Sequence, residues 1–311
     1  MIHRKAISLS IFLLLAPAFP LFADSVPPGA AKAVHNPAWL TSKKDAFEKA
    51  KKEKKLVIVD AFANWCGWCK RLDADVFDTP RFVDAAKKQF VLVRLNTEDG
   101  KEGTTYAQRF QIANLPTTLI LDFDETVVGR IGGYIKYEEF MKYVDGFLKS
   151  YATLKLQDAE ARGTRGSDAA FVMQISEAWQ GRGESKKSME LSGLVADLKT
   201  ATPEQRARAA FNTAANALKI NRLDEAEKRL RQLEKITPFP ADLDGMPEIL
   251  RSDIAAMRGD FDTAIKVLEE LMAKGNPAGE WRATLPNRIS QLRQNKMFQD
   301  MQRQAPGTSH L

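Results

Sequence analysis

Two cysteines, Cys66 and Cys69, stand two residues apart around Gly67 and Trp68, just after the apolar run Leu56-Val57-Ile58-Val59. Two thiols at this spacing, at the start of a helix, close a small and reversible disulfide. The chain holds no third cysteine, so the pair is either a redox couple or has no role as a pair. A ring with two residues between its cysteines removes little freedom from the unfolded chain, and its stabilising value is small. The thiolate, not the thiol, attacks a disulfide. Where a strand ends and a helix begins, Cys66 meets unpaired backbone N–H groups and the positive end of the helix dipole. That field is worth about 0.3–2 kcal/mol, and about 1.4 kcal/mol corresponds to one pKa unit. Cys66 is therefore expected as the nucleophile and Cys69, one turn on, as the resolving thiol. Lys70 either adds positive potential or is a plain helix-surface lysine.

Other chemistries find little support. His3, His35 and His310 lie near the two ends of the chain, so no histidine-based triad or metal site is expected, and no bound cofactor is implied. A zinc site needs more ligands than two cysteines provide. The formal charge of +6 over 311 residues is modest, and the basic side chains are scattered among acids apart from Lys49, Lys51, Lys52, Lys54 and Lys55. Such a run reads as the solvated face of a helix. A nucleic-acid surface would want a concentrated patch, so none is expected.

The elements that must position the cysteines can be read from periodicity and caps. Thr41 or Ser42 caps a helix running to about Lys54, with Phe47 and Ala50 inward and Trp39 packing before it. Leu56–Phe62 is too apolar to be half exposed and reads as a buried strand. A helix follows from Cys66 through Leu72, and Pro80 starts another with Phe82, Val83 and Ala86 on one face. Phe90–Leu95 is a second strand, and Thr105–Phe110 lies on a helix. Leu115–Leu121 enters a strand, and Glu125–Ile131 is its antiparallel partner across a turn at residues 122–124. Tyr137–Tyr151 closes the unit as a helix, with Phe140, Tyr143, Val144, Phe147 and Leu148 on its buried side. Helices alternating with strands, then a hairpin and a helix, describe an α/β sandwich with a mixed sheet.

Residues 1–23 read as a secretory signal: Arg4 and Lys5 precede the apolar stretch Ile7–Leu15, and Ala23 offers a cleavage point before Asp24. The stretch up to Phe22 contains Pro17 and Pro20 and falls short of the ~20 residues that a span needs. Export to the periplasm without stable membrane insertion is the expectation. Residues 24–38, rich in Pro, Ala and Gly, read as a spacer. Beyond a 39–152 domain and a 153–166 linker, strand signals vanish, and residues 167–304 read as helical, followed by a tail at 305–311. Two segments there look alike, with Arg222-Leu223-Asp224-Glu225-Ala226 matching Asp260-Phe261-Asp262-Thr263-Ala264 at an offset of 38 residues. The tetratricopeptide period is about 34. A third hairpin, around Phe171–Trp179 and Met189–Leu198, is weaker, and an ordinary helical bundle is the alternative.

The tract Val59–Lys70, the later Val76-Phe77 and the tripeptide Leu115-Pro116-Thr117 together resemble the thioredoxin superfamily. They are most similar to the exported thioredoxin-like branch that includes the C-terminal domain of the reductant carrier DsbD, over about residues 39–150. The resemblance implies a thioredoxin fold followed by an all-α helical-repeat domain. It assigns Asp60 as the buried carboxylate that moves the proton of the resolving thiol, which burial suits to general-base work. It assigns Pro116 to a cis-proline loop facing the disulfide, with the Leu115 backbone open to an extended substrate. Trp65 resembles the tryptophan that shields the site. Trp65, Gly67, Trp68, Leu115, Pro116 and Thr117 are thus the expected substrate-binding positions. Trp68 departs from thioredoxin itself, which has proline there, and leaves the direction of electron flow open.

These readings converge on an exported thiol-disulfide oxidoreductase. Its expected partners are protein disulfides and an upstream thiol donor, together with a protein partner on the helical repeats. The alternatives are a disulfide oxidase or isomerase, or a non-catalytic adaptor in which the repeats do the essential work.

Overall fold

The computed structural model describes residues 39–274 and 280–304. The expected signal at 1–23, the spacer at 24–38 and the tail at 305–311 lie outside the described residues. Among the described residues, no helix is long and apolar enough to cross a membrane.

Strand β1 (Trp39–Leu40) precedes helix α1 (Lys43–Glu53), whose cap is Ser42, accepting the Asp45 N–H at 3.2 Å. Lys54 ends α1 in the left-handed region, φ 53°. Strand β2 (Leu56–Phe62) leads into helix α2 (Gly67–Leu72), which continues as a π-helical turn over Asp73–Phe77. Thr79 caps α3 (Pro80–Gln89), with Pro80 in its first turn, where its missing N–H costs nothing. Then come β3 (Phe90–Asn96), α4 (Glu102–Arg109), β4 (Thr117–Leu121), β5 (Val127–Gly132) and α5 (Tyr137–Arg162).

The five strands form one sheet in the order β1-β3-β2-β4-β5. The first three strands in that order are mutually parallel, while β4 runs antiparallel to both β2 and β5. The two-residue side-chain period of β2 splits the core. Val57 and Val59 join Ala46, Phe47 and Ala50 of α1 and Tyr106 of α4 on one face. Ile58 points to the other face, among Leu72, Val76, Phe77, Phe82 and Phe140. Asp60, two residues on, shares the face of Ile58. An apolar strand with one carboxylate therefore aims that carboxylate under α2 and its π-helical turn.

Two expectations are corrected here. Residues 153–162 are not a linker but the last turns of α5, where Tyr151, Leu154 and Ala161 are buried. Tyr151 packs edge-on against Trp179 at 6.2 Å, and the Trp179 indole N–H donates to Asp158 at 2.8 Å. Tyr143 is exposed, because the buried stripe of α5 follows Phe140 and Val144.

The rest of the described chain is helical: α6 (Ala169–Gly181), α7 (Ser185–Asp197), α8 (Pro203–Lys219), α9 (Leu223–Leu233), α10 (Met246–Met257), α11 (Phe261–Ala273) and α12 (Leu285–Gln304). Each of these helices packs on the next. Ala226 and Ala264, the matching small residues, are fully buried. The array also covers the free edge of β5. Arg182 donates to the carbonyls of Val128 at 2.6 Å and Val127 at 3.3 Å, and Glu184 accepts the Val127 N–H at 3.3 Å.

Candidate active site

Cys66 sits at the cap of α2, reached directly from the C-terminal end of β2. Cys66 and Cys69 are closed as a disulfide, and both are buried. The Cys69 N–H donates to Cys66 Sγ at 3.1 Å. A backbone donor on that sulfur stabilises negative charge there once the pair is reduced. Gly67, half-buried, opens the helix. Lys70 is exposed.

Leu115 packs against the cluster of Ala63, Cys66 and Cys69, which brings the 115–117 loop to the disulfide. The Leu115–Pro116 peptide is cis, and the Pro116 carbonyl accepts the Gly133 N–H at 2.8 Å. Thr117 is not presented to solvent. It is buried, and its hydroxyl donates to the Asn114 carbonyl at 2.7 Å within the loop. Trp65 is 69% exposed, and its indole N–H donates to both carboxylate oxygens of Glu98 at 3.0 and 2.9 Å. It belongs to the rim of the site and not to the core. Trp68 is also exposed, its ring 5.4 Å from that of Tyr134.

Asp60 is 1% exposed and lies opposite Arg94 in the β2–β3 register. Arg94 donates to Asp60 Oδ2 from Nε at 3.0 Å and from Nη2 at 2.9 Å. The same Nη2 donates to Asp73, also buried. Asp73 stands four residues after Cys69 on a continuous helical stretch, so the two share one face. The Asp60–Arg94–Asp73 bridge thus lies beneath the turn that follows Cys69. Asp60 Oδ1 is buried without a hydrogen-bond partner. Burial pushes the Asp60 carboxyl up to about 6, the Asp73 charge adds to the rise, and Arg94 opposes it. A carboxylate with one free oxygen and a pKa near 6 is a proton acceptor at neutral pH.

Arg94, Asp73, Glu98 and Tyr134 were not singled out from the sequence. Arg94 carries a detectable signal, a charge inside the apolar run Phe90–Leu95. Its partner becomes evident only from the register.

A thioredoxin-like domain family profile matches residues 43–147. The thiol:disulfide interchange protein DsbD of Colwellia psychrerythraea is 28% identical over 118 residues, 35% of this chain and 19% of that protein. The chain therefore spans about a fifth of that relative's length. Thioredoxin H3 of Arabidopsis thaliana is 34% identical over 88 residues, 27% of this chain and 69% of that protein. Among solved structures, the oxidised DsbD C-terminal domain of Neisseria meningitidis is 21% identical, with a TM-score of 0.31, covering 35% of this chain and 98% of that one.

Proposed function

Because this chain belongs to the thioredoxin-like family, we propose that it is an exported thiol-disulfide oxidoreductase that reduces protein disulfides. The observation that carries the reading is the packing of the cis-proline loop, through Leu115, on the Cys66–Cys69 pair, with a buried carboxylate that keeps one oxygen free on the strand that leads to Cys66.

In the reducing direction the Cys66 thiolate attacks one sulfur of a client disulfide. A mixed disulfide forms and the first client thiolate leaves. Cys69 then gives up its proton toward Asp60 and attacks Cys66 Sγ. The Cys66–Cys69 disulfide closes, the second client thiolate leaves, and two electrons have passed to the client. The closed pair is the product state, and an upstream thiol donor must return two electrons to it. Leu115, held by the cis bond to Pro116, offers its backbone to an extended client, and the side chains of Trp65 and Trp68 flank the pair. Thr117 contributes through the shape of the loop. The helical array supplies a protein-binding surface, a reading supported by the exposed Met297, Phe298 and Met301 of α12.

The test is the reduction potential of the Cys66–Cys69 couple equilibrated against glutathione, run beside an insulin reduction assay. A potential near about −270 mV with insulin turnover supports a reductase, whereas one near about −120 mV supports a disulfide donor. Absence of any exchange with small or protein disulfides overturns the enzymatic reading and leaves the adaptor.

A further inference from the structure

Trp68 lies between the two cysteines, yet the groups that fix its position are spread over two elements. Its ring rests against Tyr134 at 5.4 Å with the planes 34° apart. Tyr134 follows the Gly132-Gly133 end of β5, and Gly133 is hydrogen-bonded to the Pro116 carbonyl. The Tyr134 hydroxyl donates to Asp75 Oδ2 at 2.6 Å, and Arg71 Nε donates to the same oxygen at 2.6 Å. Arg71 is on α2 and Asp75 on its π-helical turn. The π-helical turn matters here. Such a turn shifts the side chains that follow it relative to a regular helix, and Asp75 lies within it.

These contacts close a circuit: α2 to Trp68, Trp68 to Tyr134, Tyr134 to Asp75, and Asp75 back to α2 through Arg71. The circuit also touches the cis-proline loop through Gly133. Trp68 remains 43% exposed, although a large apolar ring gains by burial. A tryptophan held in one place by neighbours while its free face stays in water is prepared to receive an apolar group. On the other side of the pair, Trp65 is likewise exposed and held by Glu98.

Resting on the oxidoreductase reading, we propose that Asp75 and Tyr134 are positioning residues for client recognition. They hold Trp68 as a fixed aromatic wall, so that the site prefers disulfides whose attacked cysteine is flanked by an aromatic or large aliphatic side chain. The wall acts on binding of the flanking residue and takes no part in the transfer of electrons. Its contribution is that of one aromatic contact, about three- to tenfold in affinity.

The test uses the full chain and two disulfide-linked peptides that differ at the residue next to the cysteine, phenylalanine in one and serine in the other. The readout is the ratio of kcat/KM for the two peptides within each protein. Wild type should prefer the phenylalanine peptide by about three- to tenfold, with the difference in KM. Asp75→Asn, which keeps shape and removes the charge that holds Tyr134 and Arg71, should lower that ratio. Tyr134→Ala should bring it close to one, while Tyr134→Phe, which keeps the ring, should stand between. A wild-type ratio near one, or a ratio that all three variants leave unchanged, overturns the proposal. Failure of the oxidoreductase reading is distinct, because wild type would then turn over neither peptide.

Discussion

Around the bridge beneath α2, the polar side chains that bond one another are charged: the buried Asp60 and Asp73 share the half-buried Arg94, and one carboxylate oxygen is left free. Between α6, α7 and α8 they are neutral. Ser176, Ser188, Ser192, Thr213 and Asn216 are all buried and bond among themselves. There too one acceptor, Asn216 Oδ1, lacks a partner, but an amide oxygen carries no proton that can be exchanged near neutral pH. Arg229, a charged group buried in this array, is surrounded by Asp197, Glu225 and Gln232. A neutral hydrogen-bonded seam fixes which helix faces meet. A partly unpaired charged bridge can take up and release a proton. Under the proposed function, the comparison gives the chemistry to the α/β layer and the alignment of surfaces to the helices.

The largest effect that can break this assignment is at the cysteines. Cys66→Ser should reduce insulin turnover to the uncatalysed background, and Cys69→Ser should accumulate covalent mixed disulfides visible on non-reducing gels. Normal turnover by Cys69→Ser means that the nucleophile and resolver are wrongly assigned.

Arg94→Met comes next. It leaves two buried carboxylates without their shared cation and should lower stability by about 3–5 kcal/mol at pH 8. Acid should shrink the loss, because a protonated Asp60 no longer needs the guanidinium. Denaturant melts at pH 5 and 8 decide the matter, and an equal loss at both would show that Arg94 acts through packing on Trp39 and Phe62.

Asp60→Asn should move stability in the opposite sense. The folded pKa of Asp60 is raised from 3.8 to about 6. The folded state therefore holds the proton more tightly than the unfolded chain, and wild type loses stability as pH climbs from about 4 to about 6. The variant escapes that loss, gaining up to ~3 kcal/mol at pH 8 and little at pH 4. It should also slow resolution more than attack in single-turnover kinetics. A variant less stable than wild type at pH 8, with unchanged kinetics, would reduce Asp60 to a structural partner of Arg94.

In the helical seam, Thr213→Val should cost about 1–2 kcal/mol, since its hydroxyl bonds both Ser192 Oγ and the Ala209 carbonyl. It should leave insulin turnover and the pH dependence of stability where they were. A change in turnover would break the division between the two regions.

Much of the α/β layer is legible in sequence because single residues mark it. Ser42 caps α1, the unbroken apolar run gives β2, and Pro80 opens α3. The cysteine pair and the 115–117 loop are equally local signals, as is Asp60 in its strand. What escaped is non-local. Arg94 becomes a partner of Asp60 only through the β2–β3 register, and Tyr134 meets Trp68 across the sheet end. The second half of α5 was misread for a related reason. Lys155, Gln157, Asp158 and Glu160 look like a polar linker, but Leu154 and Ala161 face a second layer of helices that a local periodicity reading does not anticipate. Thr117 illustrates the limit of carrying a motif position by position, since its hydroxyl turns inward.

Helix α5, with 26 residues and a length of about 39 Å, begins on the sheet and ends on α6. One hydrophobic cluster runs with it, from Phe77 and Phe140 through Tyr151 and Trp179 to Leu285. A chain whose two parts share a helix and a core has no soft boundary at which one part melts while the other stands. The molecule should therefore unfold in a single cooperative transition, and a cut after Gly166 removes a piece of one folding unit, not a separable accessory. With that cut, the unpaired edge of β5 loses Arg182 and Glu184 and becomes open to pairing with other chains. The helical array is in this sense the protein's own protection against self-association, whatever else it binds.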